Sequence, residues 1–339
     1  MPRRYQKIKH KAAEQWLETR RNAITATDAA RIVGLSRFGD GLSVYMSKKH
    51  PETRDESADV GPMYFGKLLE RPVMKAFEKV TGLTPKPNGL TVYKHRNFDF
   101  MACTPDGVIS DNRKPVGLEI KTTRIAGGWP SVPAGTILDC GDCSTVDLPA
   151  DVECQVQWSL GVTGFSCLYI AALIQGNDFR VYKVTPNLAE ITYLQALAVE
   201  FWKDHIVQDV PPEPTKNARK EDLDRLYPQA NDSALISIDG NEHDAGLWVE
   251  AYQRASEEAK LATATKDFAA MRIKAAIKDA PGAEISRNGS TWVASWSNRK
   301  GALRFDSAAL KKEDPDLFKK FSTRSDGSRA FTLKQKRKK

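Results

Sequence analysis

An α/β fold, a mixed β-sheet flanked by helices, is what this sequence predicts, and three observations predict it. Val116–Thr122 alternates in polarity. Residues two apart in a strand share a face, so Leu118 and Ile120 enter a core while Glu119 and Lys121 project together from the other side. Phe65, Leu69, Val73, Met74, Phe77 and Val80 recur at three- and four-residue spacing, the mark of a buried helical stripe. Phe165–Gln175 and Asp178–Thr185 read as strands joined by a turn at Gly176-Asn177.

The remaining elements follow in chain order. Thr25 or Thr27 ahead of Asp28–Val33 reads as a capped helix start. Its free amides favour an anion, which Arg20 or Arg21 just upstream would clamp. In the striped helix, Glu70 and Gly66 lie one turn apart beside the stripe. Gly66 permits the close approach of a partner strand or a phosphate backbone, and Pro72 is expected to kink or break the helix. Phe98–Ile109 reads as a strand pair interrupted by Thr104-Pro105-Asp106-Gly107, where Pro105 and Gly107 set Asp106 at a defined corner. A Gly/Pro-rich loop, Arg124–Ala150, leads into a helix on which Gln155, Ser159 and Val162 share a face and Gln157 points elsewhere. Leu188–Ile206 is amphipathic, with Leu194, Leu197, Phe201 and Trp202 as core. Val210-Pro211-Pro212-Glu213-Pro214-Thr215 reads as a linker. The expected division is a core over 1–209, a linker over 210–218, an α+β accessory region over 219–333 and a basic tail over 334–339. Within the accessory region, Glu242–Asp279 is a long helix, read equally as half of a hairpin, a coiled-coil contact or a surface helix. Arg287–Ser290 marks a hairpin whose Trp292 and Trp296 are expected in a core.

Five of these residues fit one chemistry. Glu70, Asp106 and Glu119 are carboxylates, Lys121 a cation and Gln155 an amide. If the Asp106 turn and the Glu119 strand pair, the two acids become neighbours, and close carboxylates repel unless a cation or proton lies between them. Oxygen-only donors select hard ions such as Mg²⁺ or Mn²⁺, and a lysine beside them stabilises developing negative charge. An alternating strand or a PDG turn is by itself an ordinary structural piece. The order acidic helix, aspartate turn, Glu-x-Lys strand, glutamine helix carries more. This order resembles the PD-(D/E)xK nuclease superfamily and, within it, the lambda-exonuclease or YqaJ-type viral recombinase family. The matching segments are Ile24–Ala30, Gly66–Glu70, Thr104–Gly107, Leu118–Lys121 and Gln155–Thr163, over roughly residues 14–206. The resemblance implies a restriction-endonuclease-like sheet and a Mg²⁺-dependent exonuclease with two ions, Mn²⁺ substituting, that resects double-stranded DNA from the 5′ end. It implies metal ligation by Asp106, Glu119 and the Ile120 carbonyl, with Glu70 supporting the second ion. It gives Lys121 the attacking water and Gln155 the task of holding that lysine or water. It places a 5′-phosphate grip at Arg20 and Thr27. Its product, a 3′ single strand, implies a single-strand annealing protein as partner, and a homo-oligomer is a further expectation. An endonuclease on the same fold and an idle DNA-end binder are the alternatives.

Composition is compatible with this reading. The net charge of +8 on 339 residues favours a polyanionic partner. The basic ends, Arg3, Arg4, Lys7, Lys9 and Lys11 and then Lys334–Lys339, are expected to be mobile tails adding salt-sensitive phosphate contacts. No apolar run reaches the ~20 residues of a bilayer span. The start lacks a secretion signal, and five cysteines in so long a chain suit a reducing, cytoplasmic setting. Cys140 and Cys143 are expected in a loop, Cys154 and Cys167 in packing, since a cluster would need four thiolates.

Overall fold

Local chemistry divides the chain into runs of helices and runs of strands. The structure, a computed structural model, describes residues 5–51, 61–111, 114–230, 235–241, 244–323 and 329–335. It forms two compact units, Met1–Gln229 with Arg329–Lys339, and Ala230–Ser328.

In the first unit, β1 (Tyr5–Lys9) precedes α1 (Ala13–Arg21), α2 (Ala26–Ile32), α3 (Gly41–Lys49) and α4 (Pro62–Thr81). Then come β2 (Lys86–Pro87), β3 (Thr91–His95), β4 (Ala102–Cys103), β5 (Gly107–Asp111), β6 (Lys114–Thr123) and β7 (Leu138–Gly141). The unit continues with α5 (Ala150–Thr163), β8 (Leu168–Ile174), β9 (Asp178–Val184), α6 (Leu188–Phe201), a wide helical turn over Trp202–Val207, and α7 (Lys220–Leu226). Six strands form a mixed sheet in the order β2-β5-β6-β8-β9-β7, in which β6–β8 and β9–β7 are parallel and the other pairs antiparallel. A second sheet, β1-β3-β4, is antiparallel.

The pleat explains how the sheet becomes a layer between helices. On β6, Val116, Leu118 and Ile120 join Tyr169, Ala171 and Val181 beneath Val73, Met74 and Phe77 of α4. The intervening strand positions, Leu168, Ile170, Ala172 and Ile174 with Tyr182 and Val184, pack against Val152, Val156, Trp158 and Leu160 of α5. Each fully buried large side chain in these layers contributes about 1.5–3 kcal/mol of transfer free energy. Glu119 and Lys121 therefore lie partly buried on the α5 side of β6. Among the described residues no helix is long and apolar enough to cross a membrane.

Several expectations are corrected. Phe65 is 53% exposed, so the α4 stripe begins a turn later, at Leu69. α4 runs through Pro72 without a break. Pro72 faces solvent, so the carbonyl that loses its partner is not stranded in the core. At Gly66 an added Cβ would meet only Thr122 Oγ1, at 3.7 Å, an ordinary contact, so no partner strand demands glycine there. The β8–β9 turn is centred one residue early. Gln175 and Gly176 both have positive φ, 52° and 82°, the pattern of a tight hairpin turn that follows the strand twist. The Arg124–Ala150 loop contains β7, which extends the sheet beside β9. Tyr5–Lys9 of the basic start is a strand paired with β3 rather than a tail, while Arg3, Arg4 and residues 336–339 lie outside the described residues.

The Pro-rich stretch read as a linker lies within the first unit. Thr215 donates through N and Oγ1 to Asp40 Oδ2 at 2.7 and 2.9 Å, and Asn217 donates to the Gly34 carbonyl at 2.9 Å. Next, Asp222 of α7 accepts from Ser43 at 2.5 Å and pairs with Arg219 at 2.7 Å. The second unit holds the long helix α8 (Ala245–Ile277), the hairpin of β10 (Gly282–Arg287) and β11 (Ser290–Ser295), and short helices α9 (Ser307–Glu313) and α10 (Pro315–Phe321). Trp292 and Trp296 are 56% and 49% exposed, contrary to the core expectation. A two-stranded ribbon lacks the third strand or second layer that would cover them.

Candidate active site

The site forms where β5 begins beside β6. The antiparallel register pairs Gly107 with Leu118 and stops there, leaving the next stretch of β6 unpaired on that edge. Asp106 fills the gap. Its Oδ2 accepts the Ile120 amide at 2.7 Å, so the turn carboxylate takes the place of a ladder carbonyl. Pro105 is buried and Gly107 opens the strand, which fixes the corner.

Glu119 and Lys121 project from the same face of β6. Lys121 Nζ donates to Glu119 Oε1 at 2.7 Å and to Gln155 Oε1 at 2.6 Å. The Glu119 and Lys121 side chains retain 17% and 22% exposure, so the group is embedded yet open to solvent. Gln155 comes from the first half of α5. Gln157, two residues on, faces the other way and ties the β9–α6 junction through the Thr185 carbonyl (3.1 Å) and the Asn187 amide (2.9 Å).

Electrostatics set the protonation states. Burial works against charge on Lys121, but Glu119 foremost, then Asp106 and Asp151, outweigh it and hold the ammonium above its usual range. Burial, then the neighbouring Glu119 charge, pushes the Asp106 carboxyl well above the carboxylate range, against the Ile120 amide and Lys121. Glu70 is also raised, by burial and by Glu119, with Lys67 opposing. It reaches the site from α4, on the sheet face opposite Glu119, and its charge is felt at Asp106.

Two carboxylates that repel one another, with a main-chain carbonyl beside them, are a donor set that suits a hard divalent cation. The contacts described engage Asp106 through Oδ2 and Glu119 through Oε1. Asp106, Glu119 and the Ile120 carbonyl are the groups that fit. Among the described residues no three His, Cys, Asp or Glu side chains form a metal-holding group. The five cysteines are all buried and unbridged, and the same statement covers Cys140 and Cys143.

Near the N-terminus, Arg20 hydrogen-bonds Thr104 Oγ1, two residues before Asp106, and stacks 4.5 Å from the Trp16 ring centre. Thr25, not Thr27, caps α2, with Asp28 completing a reciprocal capping box. Thr27 is exposed in the first turn. Sequence reading missed Thr104 and the buried pair Asp28–Lys48 at 2.7 Å. The capping spacing marked Asp28, but nothing local marks a lysine 20 positions away as its partner.

Known proteins are similar to this chain. The family model described as "YqaJ-like viral recombinase domain" matches residues 15–166. The uncharacterized protein YqaJ of Bacillus subtilis (strain 168) is 25% identical over 311 residues, 91% of this chain and 90% of that protein. The crystal structure of an alkaline exonuclease, LHK-Exo, from Laribacter hongkongensis matches 58% of this chain and 94% of its own at 15% identity and TM-score 0.42. That of a phage-related exonuclease from Haemophilus somnus 129PT matches 56% of this chain and 96% of its own at 12% identity and TM-score 0.37.

Proposed function

We propose that this chain, whose residues 15–166 match the family model of a YqaJ-like viral recombinase domain, is a Mg²⁺-dependent exonuclease. It acts on double-stranded DNA ends, removes nucleotides 5′ to 3′, and leaves a 3′ single strand for an annealing protein. The observation that carries this is the Lys121 ammonium held between Glu119 and Gln155 beside the Asp106–Ile120 contact. A purely structural ion pair has no use for a second, mutually repelling carboxylate at the same place.

Asp106, Glu119 and the Ile120 carbonyl would hold the metal, with Glu70 directed to a second ion. Mg²⁺, or Mn²⁺ in its place, supplies Lewis-acid polarisation of the phosphate and a lowered pKa for water. The chain's own residues do the rest. Gln155 fixes the Lys121 rotamer, and Lys121 places a positive charge where negative charge develops on the scissile phosphate. Asp106 is locked by the Ile120 amide, so little reorganisation accompanies reaction. Arg20, with Thr27 at the start of α2, grips the terminal 5′ phosphate.

The test uses the full chain with linear and closed circular forms of one duplex, with Mg²⁺ or with chelator. Loss of the linear form only, and only with Mg²⁺, is expected. Cutting of the circle identifies an endonuclease instead. An intact linear duplex with Mg²⁺ and Mn²⁺ leaves a DNA-end binder.

A further inference from the structure

The Asp28–Lys48 pair is the most deeply buried ion pair described, with side chains 8% and 6% exposed. Lys48 Nζ donates to Asp28 Oδ2 at 2.7 Å and to the main-chain carbonyl of Arg20 at 3.0 Å. Asp28 Oδ2 also accepts from Thr25, through N at 3.0 Å and Oγ1 at 2.8 Å. One oxygen and one ammonium thus join the last turn of α1, the first turn of α2 and the end of α3. The segment between α1 and α2 is fixed as well, since Ile24 exchanges main-chain hydrogen bonds with Phe100 and Ala102 at 2.7 and 2.9 Å.

Taking both charges out of water costs several kcal/mol each, and an apolar pair of similar volume commonly gives equal or greater stability. Stability alone does not explain the pair; what it supplies is direction. The carbonyl it holds belongs to Arg20, whose guanidinium is aimed at Thr104 in the turn that bears Asp106. Lys48 also repels that guanidinium, while Trp16 stacks on it from its own helix.

We propose that Lys48 and Asp28 are positioning residues that set Arg20 at the distance from Asp106 at which a terminal 5′ phosphate is gripped. This rests on the reading of Arg20 as the phosphate grip. Neither residue touches the substrate; both act through the end of α1.

Initial rates on linear duplexes with 5′-phosphate and with 5′-hydroxyl ends give an end-preference ratio. Lys48→Met strands a buried carboxylate, so the charge-neutral pair Asp28→Asn with Lys48→Met is the working variant, and Asn retains an acceptor for the Thr25 amide. The ratio is expected to fall about tenfold in that variant, the scale of a lost hydrogen bond to a charged group. In an Arg20→Ala background the same pair is expected to lower the ratio no further, because effects through one residue are not additive. A folded pair variant with the wild-type ratio overturns the inference, as does an equal loss on both ends or an additive loss with Arg20→Ala. A wild-type enzyme that degrades both ends equally removes the phosphate grip, and this inference with it.

Discussion

Replacing Lys121 with Met keeps most of the stem and deletes the charge. The structure sets the size of the effect. The ammonium is fixed by Glu119 at 2.7 Å and Gln155 at 2.6 Å, and its pKa is raised, so it stays cationic across any working pH. A preoriented charge in a partly enclosed site costs about 10²–10³ in kcat when removed, or roughly 3–4 kcal/mol of barrier. Binding is a different matter. A single lysine accounts for at most about one phosphate contact, so the salt slope of DNA affinity should change by about one or less. Single-turnover degradation of an end-labelled duplex measures the first quantity, and salt-dependent binding with Ca²⁺ in place of Mg²⁺ the second. A Lys121→Met enzyme turning over within about fivefold of wild type refutes the electrostatic role. So does a fall in rate that only mirrors lost DNA affinity.

The two glutamines of α5 should separate cleanly. Gln155→Leu removes one of the Lys121 contacts and should slow turnover about tenfold with little change in the urea midpoint. Gln157→Leu strands the Thr185 carbonyl and the Asn187 amide and should cost about 1–3 kcal/mol in urea unfolding while sparing the rate per folded molecule. Burial, then Glu153, raises the Glu190 carboxyl to about 7. A folded state that binds the proton more tightly than the unfolded chain loses stability as pH rises from the ordinary glutamate range through about 7. Glu190→Gln should therefore flatten the fall in Tm over that window and stabilise the protein at pH 8 by ~1 kcal/mol, discounted because the group is half exposed. An unchanged Tm–pH curve contradicts this. At Gly161 an added Cβ would lie 2.7 Å from Ile191 Cγ2, so Gly161→Ala should push α5 from α6 and lower stability by about 1–3 kcal/mol despite better helix propensity. A higher urea midpoint for this variant contradicts that packing.

The parts of the site closest to the strand period were legible in the sequence. Two-residue alternation alone puts Glu119 and Lys121 on one side, and Pro105 and Gly107 mark the corner that holds Asp106. Helical periodicity separates Gln155 from Gln157. What escaped depends on partners distant in the chain. β1 is basic and β7 is four residues long, so neither carries a periodic signal, and each exists because β3 or β9 offers an edge. Val210–Thr215 looks like a linker by composition, but Asp40 captures Thr215 from 175 positions away. The Phe65 stripe and the Trp292 and Trp296 assignments failed for a shared reason. Hydrophobic residue type predicts burial only where another layer exists to cover it, and Phe65, Trp292 and Trp296 all stay about half exposed. Glu70 fits the order of parts, yet the fold delivers it from the opposite face of the sheet, a fact set by topology and invisible in local pattern.

The central claim is that the acids and lysine at the start of β5 and on β6 cut phosphodiester bonds at a duplex end with a divalent ion. Mg²⁺-dependent release of label from a linear duplex tagged at either terminus, with Asp106→Asn run alongside, tests it most directly. Early release of the 5′ label, late release of the 3′ label and no release by Asp106→Asn is the expected record. Release by Asp106→Asn at the wild-type rate would contradict the account.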